Sequence, residues 1–426
     1  MPEREEQPFT ELHCLLSADA RFTPIDFTND QTWELTTTFI DPPSITLHTT
    51  YGLRAHWMRL FPGFSSGNLT LHDPQTFAGQ PLLISNSPSV ATLTMQPFKT
   101  FDVRMEYYVP ASNLVCGRIQ VTNTGDQLEN WRVSLNTILN PIGRGQLMTP
   151  VLYGMNTVLQ GKTQNVMPVL YVTGGPEPAS SPYTALIIPM TLQAGQSRTI
   201  SWALASLRTL EESFTLARQT TGRAWDADLL RMDMEQKKRF YSINTPKPEW
   251  DRVFERSQRQ SMQLMVTGPN HKPGRTFVLS RKPDHGYSVD GRGNDYLPAW
   301  IGQTALDAWY YCRLILPGYI DVAREILESF LSNQHSNGFI SNQMPLSDHP
   351  SPDHAFPILA ETARMIFSYD EDADWLRSIY PALIRYLRYW FAVRTEGENE
   401  ELPAWTSSIQ SGFDALYGLD AESSHS

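Results

Sequence analysis

Asp414 has surroundings in the sequence that favour proton-transfer chemistry. It closes the segment Gln410-Ser-Gly-Phe-Asp414, and its immediate neighbours are small or apolar. An ionised carboxylate loses solvation in apolar surroundings, so such a side chain has a raised pKa. A carboxylic acid that keeps its proton near neutral pH can act as a general acid. A solvated loop aspartate is the alternative interpretation of the same residue.

The segment between Asp290 and Gln303 has polar groups at close spacing. It contains the run Asp290-Gly-Arg-Gly-Asn-Asp295 and then Trp300-Ile-Gly-Gln303, whose amide can hydrogen-bond to a hydroxyl group. A glycine-rich phosphate cradle is the other interpretation of the first run. No strand pattern precedes that run, and it matches no nucleotide-binding fingerprint, so we favour polar contacts to a different kind of ligand.

The histidines near residue 350 do not have the spacing of a metal site. The segment Ser347-Asp-His-Pro-Ser-Pro-Asp-His354 matches no zinc signature, and its prolines predict a loop. We interpret it as a solvent-facing loop. The sequence therefore predicts neither a metal ion nor another cofactor.

Composition limits the partners of the 426-residue chain. Hydrophobic residues make up 41% and charged residues 19%, as in folded globular proteins. The net charge of -11 argues against a nucleic-acid partner, because binding phosphates requires an excess of Lys and Arg. The sequence has neither a membrane-spanning apolar run nor a secretory signal at its start, so we expect a cytoplasmic protein with no membrane partner. Three widely spaced cysteines predict no disulfide framework: Cys14, Cys116 and Cys312.

The first half of the chain has the pattern of β-strands. Apolar and polar residues alternate over 114–122 and again over 131–136, with turn residues between them, which predicts a β-hairpin with one buried face. Similar alternation continues to about residue 204. About 200 residues exceed the size of a small immunoglobulin-like sandwich, so we predict a large antiparallel β-sandwich over 1–205.

The pattern becomes helical after residue 205. Thr209 and Glu212 have the spacing of a capping box, and we predict a helical linker over 206–248. A helical domain should follow over 249–426, with Pro381 breaking or kinking one of its helices. Apolar residues at helical spacing predict helices in three segments of that domain: 321–334, 355–368 and 372–393.

This order of a strand-rich part, a helical linker and helical pairs resembles the six-hairpin glycosidases, whose catalytic domain is an (α/α)6 toroid. One motif resembles their turn between an outer helix and an active-site loop, a second resembles their recurrent barrel helix, and a third resembles the Glu-Ser-Gly-x-Asp segment of glycoside hydrolase family 63 and the trehalases. These motifs are Gln334-His-Ser-Asn-Gly-Phe-Ile340, Trp375-Leu-Arg-Ser-Ile-Tyr-Pro-Ala-Leu383, and Trp405 followed by Gln410-Ser-Gly-Phe-Asp414.

The resemblance implies a role for each candidate residue. The aspartate of the third motif is the general acid of the family, which makes Asp414 the catalytic residue here. Gln410 stands where relatives have a glutamate, and Gln303 stands where they have a sugar-binding aspartate after a tryptophan. An amide still hydrogen-bonds to hydroxyl groups, so binding of an oligosaccharide or glycoside is the role implied for five residues: Trp300, Gln303, Asp295, Trp405 and Gln410.

The resemblance also implies that part of the toroid lies outside this sequence. Twelve helices with their loops need at least about 250 residues, more than residues 249–426 provide. We therefore expect a partial toroid, a C-terminally truncated chain and a catalytic base that this sequence lacks. A partner that completes the toroid and a catalytically inactive remnant are the alternatives to truncation. The open edge of a partial toroid leaves apolar side chains exposed, which predicts self-association.

Three functions are compatible with these patterns. The favoured one is a glycoside hydrolase that cleaves α-glycosidic bonds with inversion, using an acid and a base. The second is a disaccharide phosphorylase, in which phosphate replaces the base. The third is a non-catalytic sugar-binding protein, which the amides at Gln303 and Gln410 favour. An assay with and without phosphate separates the first two, and sugar affinity without turnover identifies the third.

Overall fold

The computed structural model describes residues 12–180, 182–268, 274–297, 300, 303–343, 346 and 353–393. The chain forms two compact units, which we call the β unit and the helical unit. The β unit comprises Met1–Thr23, Asn29–Trp225 and Arg281–Tyr287. The helical unit comprises Pro24–Thr28, Asp226–Ser280 and Ser288–Ser426. The domain boundaries predicted from the sequence, which are 1–205, 206–248 and 249–426, stay a prediction.

The described part of the β unit has sixteen strands in two antiparallel sheets. In chain order they are β1 (His13–Leu16), β2 (Trp33–Thr38), β3 (Ser44–Thr49), β4 (Ala55–Ser66), β5 (Leu69–Leu71), β6 (Gly79–Asn86), β7 (Val90–Phe98), β8 (Phe101–Ala111), β9 (Leu114–Asn123), β10 (Glu129–Pro141), β11 (Gln146–Tyr153), β12 (Asn156–Lys162), β13 (Met167–Val172), β14 (Glu177–Ala179), β15 (Thr184–Leu192) and β16 (Ser197–Leu207). The first sheet has the order β1-β2-β3-β4-β10-β15-β14, with β5 beside β4. The second has the order β11-β12-β13-β16-β9-β8-β7-β6.

Aromatic side chains from both sheets meet in the core of the β unit. Phe101 of β8 lies with its ring centroid 4.3 Å from that of Trp131 on β10 and 5.8 Å from that of Phe64 on β4. All three side chains are buried. Since β8 belongs to the second sheet and the other two strands to the first, these contacts bridge the sheets, and the predicted antiparallel β-sandwich is confirmed at this level.

The predicted hairpin over 114–136 is wrong. β9 pairs with β8 and β16, whereas β10 pairs with β4 and β15, so the turn between them connects the two sheets. Asn123 holds this connection, because its buried amide donates to the carbonyl oxygens of Gln127 and Leu192 and its oxygen accepts from the N–H of Gly125. A strand with one buried side can pair with its neighbour in the same sheet or lie in the opposite sheet across the core. The alternation of apolar and polar residues is the same in both arrangements, so it does not distinguish them.

A buried ion pair holds a late segment of the chain in the β unit. The guanidinium of Arg281 donates to the carboxylate of Asp30 from Nε at 2.8 Å and lies 2.7 Å from it at Nη2, and both side chains are fully buried. Nη1 of Arg281 also donates to the backbone oxygen of Ala18 at 2.9 Å. Asp30 in turn donates its backbone N–H to the oxygen of Gly286 at 2.7 Å. The segment Arg281–Tyr287 therefore belongs to the β unit, although the residues on both sides of it belong to the helical unit.

The described helices begin directly after the last large-sheet strand. They are α1 (Leu210–Thr221), α2 (Trp225–Arg239), α3 (Pro248–Gln263), α4 (Ala305–Ile315), α5 (Ile320–Ser332), α6 (Leu359–Asp370) and α7 (Ala373–Val393), with a short hairpin of β17 (Met265–Thr267) and β18 (Arg275–Phe277) after α3. Thr209 caps α1, and its side chain and that of Glu212 form the predicted capping box. α7 runs continuously through Pro381, so the proline does not break this helix as one alternative predicted.

Arg324 connects three helices of the helical unit. From α5 its guanidinium donates to the carboxylates of Asp370 and Asp372, where α6 ends and α7 approaches. It also lies 4.7 Å from the ring centroid of Trp375 on α7. The indole N–H of Trp375 donates to Glu328 of α5 at 2.8 Å. The tryptophan that the resemblance assigned to a barrel helix therefore anchors α7 to α5.

Several apolar side chains of the helical unit are exposed. On α3, Trp250 is 57% and Val253 64% exposed, and on α4 Tyr310 is 56% exposed. Self-association through such side chains stays a prediction. None of the described helices combines the length and apolar composition needed to cross a bilayer. Across the same residues, no group of three or more His, Cys, Asp or Glu side chains has the arrangement of a metal site.

On the first sheet, Glu34 of β2 lies between two histidines. It accepts from His48 of β3 at 3.0 Å and from His13 of β1. The hydrogen bond from His48 is the main cause that holds the pKa of Glu34 below its usual 4.5. Because the folded state favours the ionised form, this carboxylate stabilises the fold above pH 4.5, and that contribution is lost as the pH falls through the folded pKa.

Removing the buried pair should destabilise the β unit strongly. Asp30→Asn leaves the guanidinium of Arg281 buried without its counter-charge, and we expect a loss of about 3–5 kcal/mol in the free energy of unfolding, measured with urea. The matched control is Arg377→Met, which removes an exposed pair with Asp374 and should change the free energy by less than about 0.5 kcal/mol. Similar losses in the two variants would contradict this assignment.

Glu34→Gln should reveal the pH dependence of the histidine cluster. We expect a loss of about 1 kcal/mol in the free energy of unfolding at pH 5.5, where the carboxylate is ionised, and a smaller loss as the pH falls below 4.5. Urea titrations of both proteins across pH 3–7 measure the difference. The exposed Glu177→Gln on β14 is the control. A difference that grows toward acid pH would show that the sign is wrong.

Candidate functional site

The structure describes three of the six candidate residues. Asp295, Trp300 and Gln303 all belong to the helical unit, in the segment that leads into α4. Trp405, Gln410 and Asp414 lie outside the described residues, so their roles stay predictions. The described part of the site therefore comprises residues 288–297, Trp300 and Gln303 and the elements that they contact.

Asp295 organises its own loop. Its carboxylate accepts from the hydroxyl of Ser288 at 2.5 Å and from the backbone N–H groups of Val289 and Asp290. Partial desolvation raises the pKa of Asp295, but these hydrogen bonds, led by that of Ser288, hold it below its usual 3.8. The side chain is exposed and ionised, so it is an acceptor for hydrogen bonds and not a proton donor at neutral pH.

Aromatic contacts connect this loop to Trp300. Tyr296 follows Asp295 directly, and its ring centroid lies 5.5 Å from that of Trp300 and 6.0 Å from that of Phe27. Its hydroxyl donates to the backbone oxygen of Phe27. Gly293 has a positive φ of 79°, and a Cβ there would lie 2.8 Å from the Phe27 ring, so glycine allows the loop to approach this closely. Trp300 is only 1% exposed.

Gln303 carries a buried polar atom whose environment bears on ligand binding. The residue is fully buried, and its Nε2 donates to the hydroxyl of Thr276 on β18 at 2.5 Å. Its amide oxygen, Oε1, has no hydrogen-bond partner among the residues that the structure describes. A buried acceptor without a partner costs about 1–3 kcal/mol, and such groups in native proteins call for a specific explanation. A hydroxyl group that donates to this oxygen would satisfy it.

The packing of the elements next to Gln303 makes this position rigid. Thr304 and Asp307 form a capping box at the start of α4, immediately after Gln303. Phe277 of β18 stacks on Tyr311 of α4, with ring centroids 4.0 Å apart and an angle of 6° between the planes. The hydroxyl of Tyr311 donates to the backbone oxygen of Ser261 at 2.7 Å. α3, α4 and β18 are therefore packed together, and β18 provides Thr276, the partner of the Gln303 amide.

Sequence patterns did not indicate two features of this region. Thr276 was not a candidate, because a three-residue strand is too short for a recognisable alternation. His354 was expected in a solvent-facing loop, and this expectation is wrong. His354 is fully buried, with Nδ1 2.9 Å from the oxygen of Ile340, and its ring lies against those of Tyr386 and Trp390 of α7. The flanking prolines suggested exposure, but aromatic packing from α7 covers the ring.

Comparisons with known proteins show a similar fold at low identity. The chain matches no protein-family model, and no curated protein matches it. A bacterial glucoamylase complexed with acarbose is similar over 92% of this chain, with 11% identity and a TM-score of 0.50. A putative kojibiose phosphorylase from human microbiome is similar over 91%, with 10% identity and a TM-score of 0.46. The chain spans 60% and 54% of these two structures. The glucoamylase comparison shows a shared fold.

Two substitutions test whether the Gln303 amide serves the fold. Thr276→Val should lower the free energy of unfolding by about 1–3 kcal/mol, because the amide of Gln303 then lacks partners at both of its polar atoms. Adding Gln303→Met removes both polar groups and should return the stability to within about 1 kcal/mol of the original protein or above it. Urea unfolding measures both. A double variant less stable than Thr276→Val would show that the amide oxygen is satisfied in the folded protein.

Proposed function

We propose that the protein is a glycoside hydrolase of the six-hairpin type that acts on α-glycosidic bonds with inversion. The observation that carries the proposal is the unpartnered amide oxygen of Gln303, at the position where the resemblance implies a sugar-binding side chain. The fold shared with a bacterial glucoamylase supports the class of enzyme. Fold alone does not determine function, so the residues must carry the rest of the argument.

In this proposal the helices form part of an (α/α)6 toroid over 249–426, joined by the linker 206–248 to the sandwich 1–205. Family 63 and the trehalases are the relatives that the motif of Asp414 favours. Action in the cytoplasm stays a prediction from the sequence.

The proposed site divides binding from proton transfer. In this proposal the buried ring of Trp300 packs beside the site, and the buried amide of Gln303 accepts a hydrogen bond from one sugar hydroxyl. The amide is a neutral acceptor, so a hydroxyl that donates to it restores the hydrogen bond missing in the free protein. The exposed carboxylate of Asp295 orders the adjoining loop, and Trp405 and Gln410 are proposed to contact the sugar from the segment of the acid.

Asp414 is the proposed general acid. It would donate its proton to the glycosidic oxygen as the bond to the sugar carbon breaks, and a water molecule would attack that carbon from the opposite face. Inversion requires a second carboxylate about 6.5–9.5 Å from the acid to activate this water. The proposal assigns no residue of this chain to that role. Free phosphate would replace the water in a phosphorylase.

Sugar binding tests the role of Gln303. We expect acarbose or maltose to bind the original protein, and the Thr276→Val/Gln303→Met protein to bind at least about tenfold more weakly while keeping its stability, since the loss of an acceptor for a buried hydroxyl costs about 1.5–3 kcal/mol. Calorimetric titration measures both. Arg377→Met, near the start of α7 and exposed, is the control and should bind normally. Equal binding by all three proteins would contradict the proposed site.

Asp414→Asn tests the acid in a protein extended by the helices that complete the toroid, because the proposal assigns the catalytic base to no residue of this chain. Release of glucose from maltose or kojibiose should fall by about 10²–10⁴-fold, the usual contribution of a general acid, while acarbose affinity stays similar. The rate on a substrate with a dinitrophenolate leaving group should fall far less, because that group departs without a proton. Each assay is run with and without phosphate, and activity only with phosphate identifies a phosphorylase. Equal losses on both substrates would show that Asp414 is not the acid. Binding without turnover under every condition identifies a sugar-binding protein.

A further inference from the structure

We propose that the outer face of the second sheet of the β unit contains a separate binding site for one neutral sugar unit. The choice of a sugar as ligand rests on the proposed function, whereas the site itself rests on the side chains of three adjacent strands. These side chains line a cavity of about 200 Å³: Arg104, Glu106, Arg118, Gln120 and Thr199.

The strand register places the polar groups in rows on one face. Arg104 of β8 is opposite Gln120 of β9, which is opposite Thr199 of β16. Glu106 is opposite Arg118 in the next row. The residues between them in each strand are buried in the core, so the polar side chains all project to the outer face. Adjacent strands lie about 4.8 Å apart, so the first row spreads three polar groups over roughly 10 Å.

Ionic contacts make one side of the cavity rigid. The carboxylate of Glu106 accepts from Arg104 at 3.2 Å and from Nε of Arg118 at 2.7 Å. The guanidinium of Arg118 also lies 5.1 Å from the ring centroid of Trp225, which is buried. A preorganised wall of this kind reduces the conformational entropy that ligand binding must overcome.

The other side of the cavity offers groups that are ready to bind. The amide of Gln120 and the hydroxyl of Thr199 are exposed and have no hydrogen-bond partner among the described residues. Arg104 uses Nε and Nη2 for Glu106, which leaves Nη1 for a ligand. These three groups together provide donors and acceptors. Hydroxyl groups both donate and accept, so a polyhydroxylated ligand matches the set better than one that only accepts.

Charge and size narrow the ligand further. Glu106 offsets one of the two guanidinium groups, so the lining carries one net positive charge and presents a carboxylate to any anion. The carboxylate of Glu106 weakens the attraction of the lining for an anion, and we therefore compare a neutral sugar with inorganic phosphate. The volume lies below the roughly 300–1,000 Å³ of pockets for drug-sized molecules, which fits a single sugar ring. All the lining side chains are polar, so we expect weak binding with a Kd on the order of 1 mM.

The test follows the methyl group of Thr199 by NMR in protein labelled at threonine methyl groups. Addition of maltose should shift this signal in a saturable manner, and Gln120→Ala should raise the Kd roughly fivefold or more, the loss expected for one hydrogen bond. The matched control is Gln146→Ala, an exposed glutamine on β11 of the same sheet, which should leave the Kd unchanged. Thr199→Val assigns the signal.

The outcomes separate this site from the proposed active site. A Thr199 signal that does not respond to maltose, or that responds equally in Gln120→Ala, overturns the proposal. A response to inorganic phosphate at lower concentration than to maltose also overturns it and identifies an anion site. The Thr276→Val/Gln303→Met protein should keep the Thr199 response. If that response persists while no variant shows turnover or acarbose binding at Gln303, the surface site stands and the proposed function fails.

Discussion

The buried pair of Arg281 and Asp30 is the interaction on which the arrangement of the chain depends. Two opposite charges with no solvent exposure are stable only when hydrogen bonds satisfy them, and here the guanidinium also donates to the backbone oxygen of Ala18. Gly286 completes the contact, because a Cβ at its positive φ of 95° would lie 2.3 Å from the oxygen of Asp30. These contacts hold the segment Arg281–Tyr287 in the β unit.

The candidate site begins directly after this segment in the chain. Ser288, the next residue, starts the loop that the carboxylate of Asp295 organises. Trp300 follows after the aromatic contacts of Tyr296, and Gln303 immediately precedes the capping box of α4. Each of these steps uses satisfied polar groups or closely packed rings. The amide oxygen of Gln303 has no hydrogen-bond partner among the described residues, and neither has the indole N–H of Trp309 on α4. The proposed function uses the first of these two groups.

The two proposed sugar sites use different physics. At Gln303 a single buried acceptor would act in a low-dielectric environment, where one hydrogen bond contributes much to specificity. On the outer face of the second sheet, a row of exposed polar groups around Arg104 and Gln120 would act in water, where each contributes little. The first arrangement suits recognition of a defined hydroxyl group. The second suits weak retention of a ligand near the protein.

The sequence by itself determined many of the strands and helices. Alternation predicted the strands, the spacing of Thr209 and Glu212 predicted a capped helix, and helical periodicity predicted α5, α6 and α7, because these signals are local. Only the tertiary structure decided the partners of those elements. It placed β9 and β10 in opposite sheets, buried His354 under aromatic rings of α7, and joined Arg281 to Asp30. Such contacts connect residues that are far apart in sequence. The local pattern around a residue is the same whichever distant residue it contacts, so the pattern does not identify that partner.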